Sequence, residues 1–112
     1  MTDYEDWRGP LTAVEKEDYT SRMDALREEI DRLDEVLVRL LNARAGCALK
    51  IGALKKRLEM EIYQPSREEA VLRHVREVNA GPLDGDAIAR LFERIIDEAR
   101  RLERVVQERE SQ

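Results

Sequence analysis

Charged side chains stand at positions of this sequence where the local pattern calls for apolar ones. Arg44 occupies a position in a seam that is otherwise apolar, and Lys55 follows eleven residues later. On an α-helix this separation is about 16 Å along the axis and about 20° around it, so both cations share one face. Ile51 and Gly52 lie between them and leave space, and a glycine inside a helix usually marks a close approach. The two cations could bind a small molecule with an anionic group at each end, or Arg44 could extend toward solvent or set a coiled-coil register.

Three further residues could extend this candidate site. Arg67 falls in the first turn of a predicted helix, where an arginine together with free backbone N–H groups could bind an anion. Glu68 beside it could accept a hydrogen bond from a hydroxyl group, and a solvated surface pair of Arg67 with Glu68 is the alternative. Glu103 borders the apolar face of a later helix, where a carboxyl partly removed from water can act as a hydrogen-bond donor, although most such glutamates are solvated. Charge and shape are therefore the chemical means that this sequence offers.

Composition and charge argue against several other classes of function. The chain has a single histidine and a single cysteine, which argues against a zinc site and against a Cys–His nucleophile pair. The formal net charge of -5 argues against nucleic acid or an anionic membrane surface as the main partner. We find no apolar run of about 18 residues and no secretory signal at the N-terminus. The expected location is therefore the cytoplasm.

The element that must position the first two cations is predicted to be one very long helix. From a start near Ser21, apolar residues recur in alternating steps of four and three as far as Leu58. Such a helix is about 57 Å long, whereas a compact domain of this size has a radius of gyration of about 13 Å. Two shorter helices of the same chain cannot cover it. The pattern therefore implies a helical partner chain, most simply in a two-fold dimer.

Two shorter helices are predicted to follow and to complete an all-α fold. Pro65 or Ser66 begins the second helix, with Ser66 and Glu69 as a capping box. The sequence Asn-Ala-Gly-Pro at 79–82 ends it, and Asp84 caps the third helix. With only five glycines and three prolines in 112 residues, little is left for other structure.

The N-terminal residues differ from the rest of the chain in charge. Residues 1–19 contain six acidic and two basic side chains and so carry a net charge of -4, which leaves -1 for the other 93 residues. We therefore expect an acidic arm over residues 1–19, one domain over 20–109 and a short tail over 110–112. Trp7 in the arm could dock on another protein.

Five short motifs extend over about three quarters of the chain. They are LREEIDRLD at 26–34, LLNAR at 40–44, KIGALK at 50–55, IYQPSREE at 62–69 and LFERII at 91–96. In this order and at these spacings, they resemble the all-helical class of chorismate mutases. The resemblance implies an intertwined helical homodimer that converts chorismate to prephenate by an intramolecular pericyclic rearrangement, without cofactor, metal or covalent intermediate. The protein would hold the substrate in its reactive shape and stabilise charge on the ether oxygen.

The resemblance also implies a role for each charged residue. Arg44 and Arg67 correspond to arginines that contact the substrate, and Lys55 to the lysine that binds a carboxylate and the ether oxygen. Glu68 corresponds to the glutamate that binds the substrate hydroxyl. Arg27 corresponds to an arginine that enters the site from the other subunit. Helix geometry agrees with entry from a second subunit. Arg27 is about 25 Å along the helix from Arg44 and about 100° off its face, so it cannot reach the same pocket from its own chain.

The sequence departs from the usual pattern of this family at three positions. Gln64 stands where an aspartate is usual, Ala99 where a small hydroxyl residue is usual, and Glu103 where a glutamine donates to the ether oxygen. We nevertheless expect Gln64, Ile51 and Ala99 to contact the substrate. Because an ionised Glu103 would repel the developing negative charge, we predict that it acts in its protonated form and that turnover falls as pH rises.

Two other functions remain open at this point. Isochorismate-pyruvate lyase has the same fold and needs a similar set of cations for a similar dicarboxylate. A noncatalytic helical module is the alternative from a different class, either binding a pathway metabolite or docking on another enzyme of the pathway through the acidic arm. Such a module would not need Arg44 and Lys55 around a hollow, so we favour an enzyme.

Overall fold

The computed structural model describes residues 9–111, so Trp7 and its predicted docking role lie outside the described residues. Three helices form the described chain: α1 (Ala13–Arg57), α2 (Pro65–Val78) and α3 (Gly85–Glu110). Residues 9–111 contain no strand. The predicted all-α fold with three helices, one of them very long, is thus confirmed. None of the described helices is long and apolar enough to cross a membrane.

Helix α1 begins earlier than the sequence analysis placed it. Thr12 Oγ1 accepts a hydrogen bond from the backbone N–H of Glu15 at 3.1 Å, and Glu15 Oε1 accepts one from the backbone N–H of Thr12 at 3.3 Å. This is a capping box, which satisfies two backbone donors that would otherwise lack partners at the helix start. The expected start near Ser21 is therefore wrong, because this earlier cap lets the helix begin at Ala13. The boundaries predicted for the acidic arm and the domain remain predictions.

The C-terminal end of α1 turns the chain sharply toward α2. Glu59 has a φ of 57°, the left-handed conformation that commonly follows a helix. Its backbone N–H donates to the Lys56 carbonyl at 3.2 Å, and that of Met60 donates to the Lys55 carbonyl at 2.8 Å. These two hydrogen bonds are those of a Schellman motif. The motif follows directly on the last residue of α1, Arg57, two residues after Lys55.

Helix α2 begins at Pro65, and its predicted capping box is not formed. Gln64 is the N-cap residue and makes no side-chain capping hydrogen bond. Since Pro65 is the first helical residue, Ser66 lies inside the first turn and not at the N-cap, so it cannot cap together with Glu69. The alternative start at Ser66 and the Ser66–Glu69 box are therefore wrong.

Helix α3 begins as the sequence predicts and is tied to α2 near its start. The Asp84 side chain accepts a hydrogen bond from the backbone N–H of Ala87 at 2.7 Å, which confirms the predicted cap. Arg76 on α2 donates to Asp86 Oδ1 at 2.7 Å. The hydrogen bond and positive charge of Arg76 lower the pKa of Asp86 below its ordinary value of 3.8.

The chain divides into two compact units, Met1–Arg39 and Leu40–Gln112. In the first unit, every residue from Ala13 to Arg39 is exposed. In the second unit, α2 packs on α3, and the buried apolar residues are Val75, Ala89 and Ile96. Glu103 is buried as well, although it carries a carboxyl group. A buried carboxyl needs a partner, and that partner lies in the candidate site.

Candidate active site

A cavity in the second unit brings together most of the residues that the sequence singled out. Its volume is about 520 Å³, which is within the range of small-molecule pockets. Eight of the nine predicted site residues line it, and these are Arg44, Ile51, Lys55, Gln64, Arg67, Glu68, Ala99 and Glu103. Arg27 does not line this cavity and belongs to the first unit.

Lys55 and Glu103 form an ion pair in the wall of the cavity, and both side chains are largely buried. Lys55 Nζ donates to the Ile62 carbonyl at 2.8 Å and to Glu103 Oε2 at 3.4 Å. The Lys55 side chain is 15% exposed and that of Glu103 is 8% exposed. The Schellman motif at the end of α1 leads the chain back so that Ile62 reaches the ammonium group. Lys55 is thereby held in a defined direction and still borders the cavity.

Gly52 makes room for Glu103. A Cβ atom at Gly52 would lie 3.2 Å from Glu103 Cγ and 3.4 Å from Glu103 Oε2. Nε2 of Gln107, one turn after Glu103 on α3, donates to the Gly52 carbonyl at 3.3 Å. From the sequence alone, Gly52 is expected to be part of a hollow open to a ligand. The structure corrects this, because the Glu103 side chain occupies the space beside Gly52.

Two arginines contribute positive charge that no carboxylate among residues 9–111 neutralises. Arg44 on α1 is half-buried, and Arg67 in the first turn of α2 is exposed. Within residues 9–111, neither of them forms an ion pair. The surface pair of Arg67 with Glu68, considered as an alternative, is not formed. Both guanidinium groups are therefore available to an anionic ligand.

Arg100 on α3 is a cavity residue that the sequence analysis missed. Its Nε donates to Glu68 Oε2 and its Nη2 to Glu68 Oε1, both at 3.1 Å. It lies three residues before Glu103 on the same helix, so it borders the same apolar face. By its position on α3, Arg100 is as good a candidate from the sequence as Glu103. What the sequence could not supply is the pairing with a carboxylate on α2.

The charges around the cavity suit a dianion. Four lining side chains are cationic and two are carboxylates, which leaves a formal net charge of +2. Much of the remaining lining is apolar, so the cavity can enclose an apolar body between charged ends. In the described part of the chain, no cluster of three or more His, Cys, Asp or Glu side chains is arranged to hold a metal ion.

Comparison with known proteins identifies the family to which this fold and site belong. Residues 26–104 match the family "Chorismate mutase type II". The chain belongs to this family. The identification confirms the family that the five sequence motifs predict.

Curated chorismate mutase relatives match the chain over about three quarters of its length. A bifunctional chorismate mutase/prephenate dehydratase from Stutzerimonas stutzeri is 41% identical over 87 residues, which are 73% of this chain and 24% of that protein. A protein of the same description from Neisseria gonorrhoeae is 44% identical over 78 residues, which are 70% of this chain and 21% of that protein. The chain thus spans about a quarter of the length of these relatives.

Solved chorismate mutases have the same helical fold. The chorismate mutase of Thermus thermophilus, form II, is 36% identical with a TM-score of 0.73, and the match covers 74% of this chain and 94% of that chain. The Helicobacter pylori chorismate mutase, solved in complex with prephenate, is 31% identical with a TM-score of 0.73. That match covers 79% of this chain and 96% of the H. pylori chain.

Proposed function

We propose that this chain is a chorismate mutase and converts chorismate to prephenate. The observation that carries the proposal is the cavity itself. Arg44 and Arg67, which form no ion pair with the described residues, lie there with the Lys55–Glu103 pair. Its net positive charge suits a dicarboxylate, and its volume of about 520 Å³ suits a molecule of this size. Membership of the family and the prephenate complex of the H. pylori relative support the same substrate class.

The reaction needs binding and electrostatic stabilisation more than it needs a reactive side chain. In this intramolecular rearrangement an ether C–O bond breaks and a C–C bond forms, so no proton or group is transferred to the protein. Arg44 and Arg67 bind the carboxylates and hold the substrate in its compact reactive shape. Lys55 binds a carboxylate and the ether oxygen, where its ammonium stabilises the negative charge that develops as the bond breaks. Gln64, Ile51 and Ala99 complete the binding surface.

Glu103 is proposed to assist at the ether oxygen in its protonated form. Its carboxyl group lies 3.4 Å from Lys55 Nζ, so both groups can reach one substrate atom. An ionised carboxylate beside that atom would repel the developing negative charge, whereas a protonated carboxyl can donate a hydrogen bond to it.

A second copy of the chain is proposed to complete the site. Along α1, apolar side chains at heptad spacing are more than half exposed, and they include Leu26, Ile30, Leu33 and Leu37. Each side chain of this type stabilises a fold by about 1.5–3 kcal/mol when it is fully buried. A helical partner would cover this face, and a two-fold dimer would bring Arg27 of the partner subunit to the cavity.

Mixed dimers test this arrangement. Chains carrying Arg27→Ala or Arg44→Ala should each be almost inactive alone. When the two variants are unfolded together and refolded, each mixed dimer regains one complete site, so turnover should reappear. No recovery in mixed dimers that are shown to form would contradict the shared site.

Product identification tests the activity. The purified chain is incubated with chorismate and, separately, with isochorismate, and the products are identified. Prephenate from chorismate is the expected result, and Arg73→Ala, which changes an exposed arginine outside the cavity on α2, is the matched control for Arg44→Ala. Pyruvate release from isochorismate alone would favour the lyase. No turnover of either compound would contradict the proposed function.

The cellular setting follows from this activity as a further part of the proposal. Prephenate formation belongs to aromatic amino-acid biosynthesis, for which the cytoplasm is the expected location.

Docking of the acidic arm on another enzyme of the pathway stays a prediction, and deleting residues 1–8 tests it. Unchanged turnover after this deletion, with loss of any co-purifying pathway enzyme, is the outcome that supports docking. Loss of turnover would assign the arm to the site itself.

A further inference from the structure

We infer that Arg100 is a positioning residue that fixes the Glu68 carboxylate at the cavity wall, ready to bind the hydroxyl group of the substrate. The inference rests on the proposed function, and it adds to the site a residue that the family motifs do not contain. Both side chains line the cavity, and each is 23% exposed. Arg100 acts through Glu68 and needs no contact of its own with the reacting atoms.

The guanidinium of Arg100 is held from three directions. Two of its nitrogens donate to the two Glu68 oxygens at 3.1 Å. Nη2 also donates to Asp97 Oδ1 at 2.9 Å, and the guanidinium carbon lies 4.9 Å from the centre of the Tyr63 ring. A planar group that pairs through two parallel hydrogen bonds restricts rotation of its partner carboxylate. The direction of the Glu68 oxygens is therefore set before the substrate binds.

The same pairing leaves Glu68 able to accept a further hydrogen bond. Each carboxylate oxygen has two acceptor positions, and Arg100 occupies one on each oxygen. The remaining positions can receive a hydroxyl proton from a ligand. Arg100 also compensates the negative charge of Glu68, which would otherwise oppose a dianionic substrate in the same cavity. An unpaired Glu68 would be both less well oriented and more repulsive.

The test is a double-mutant cycle of Arg100→Gln with Glu68→Gln, read in KM and kcat. Arg100→Gln alone should raise KM about tenfold, as expected for a lost hydrogen bond to a charged group. The change in kcat should be small, because the hydroxyl contact is present in the ground state and in the transition state. In the Glu68→Gln background, Arg100→Gln should have almost no further effect. Arg90→Gln, which removes an exposed arginine of α3, is the matched control.

Arg100→Lys tests whether Arg100 acts by positioning Glu68, and not only by stabilising the fold or by supplying positive charge. Lysine keeps the charge and much of the packing, but it cannot form the planar two-point pair. Its KM should therefore rise while its melting temperature stays near that of the unchanged chain. Equal KM effects of Arg100→Gln in both Glu68 backgrounds, or an unchanged KM in both Arg100 variants, would overturn the inference. Turnover of chorismate by the unchanged chain and by Arg90→Gln tests the proposed function separately.

Discussion

Substitution of Gly52 by alanine should lower turnover while it leaves the fold intact. The added Cβ would lie 3.2 Å from Glu103 Cγ, so Glu103 must shift by a few tenths of an ångström. Glu103 has little freedom to shift without consequence, because it is buried and its carboxyl group pairs with Lys55. The Lys55–Glu103 distance of 3.4 Å is already beyond the usual range of about 2.7–3.2 Å for N–H···O hydrogen bonds. A further displacement would separate the two groups proposed to act together at the ether oxygen.

Gly52→Ala has two opposing effects on the free energy of unfolding, whereas its effect on turnover has a single direction. Replacing glycine by alanine inside a helix stabilises by about 1 kcal/mol, and a close contact of this kind destabilises by about 1–3 kcal/mol. Unfolding should therefore change by at most about 2 kcal/mol. Loss of one charge-assisted hydrogen bond is equivalent to about 1.5–3 kcal/mol. Applied to the transition state, this lowers kcat about 10-fold to 150-fold.

The assay compares Gly52→Ala with Gly46→Ala in chorismate turnover and in urea unfolding. Gly46 lies on the same helix, and a Cβ there meets nothing within 4 Å. Gly46→Ala should therefore stabilise by about 1 kcal/mol and leave kcat unchanged. Full kcat in both variants would show that Gly52 does not position Glu103. If Gly52→Ala fails to fold, the contact with Glu103 is structural and the proposed positioning role is wrong.

Three further changes probe the ends of the helices and the ionisable groups. Glu103→Gln should retain turnover, as steady-state rates will measure, because the glutamine amide can donate a hydrogen bond to the ether oxygen in place of the carboxyl group. Asp84→Ala removes the hydrogen bond to Ala87 and should lower the free energy of unfolding by about 1 kcal/mol in urea, with turnover retained. Asp86→Asn should reduce stability at neutral pH. Because Arg76 lowers the pKa of Asp86, the difference between the unchanged chain and Asp86→Asn should vanish as pH falls through that lowered pKa.

Each of these expectations has a result that contradicts it. Loss of turnover in Glu103→Gln would exclude hydrogen-bond donation to the ether oxygen as the role of this side chain. Unchanged unfolding of Asp84→Ala would mean that the cap does not stabilise α3. A stability difference for Asp86→Asn that persists at the most acidic pH would assign the effect to packing and not to the charge of Asp86.

Periodicity predicted the part of the site that depends on a single helix. The shared face of Arg44 and Lys55 follows from helix geometry alone, and both line the same cavity. The early start of α1 could also have been predicted, because Thr12 and Glu15 have the spacing of a capping box. The helix start predicted near Ser21 follows instead from the apolar seam, which begins only there.

Contacts between helices were the part that sequence reasoning could not supply. Glu68 has a charged neighbour in Arg67, yet its partner is Arg100, 32 residues later. Gly52 has the appearance of a gap left for a ligand until the position of Glu103 on α3 is known. Such pairings depend on the distance and rotation between helices, which the pattern along one helix does not contain. A residue type and its face can be predicted in this way, but its partner cannot.

Arg44, Lys55 and Arg67 are proposed to hold a dicarboxylate in a site that a second chain completes. The most direct measurement is a crystal structure of the protein with a stable bicyclic dicarboxylate ether that imitates the compact reactive shape of chorismate. We expect the inhibitor to lie in the cavity of about 520 Å³, with its ether oxygen near Lys55 and Glu103 and one carboxylate bound by Arg27 of the partner subunit. An inhibitor bound elsewhere, or bound in this cavity without any contribution from a second chain, would contradict it.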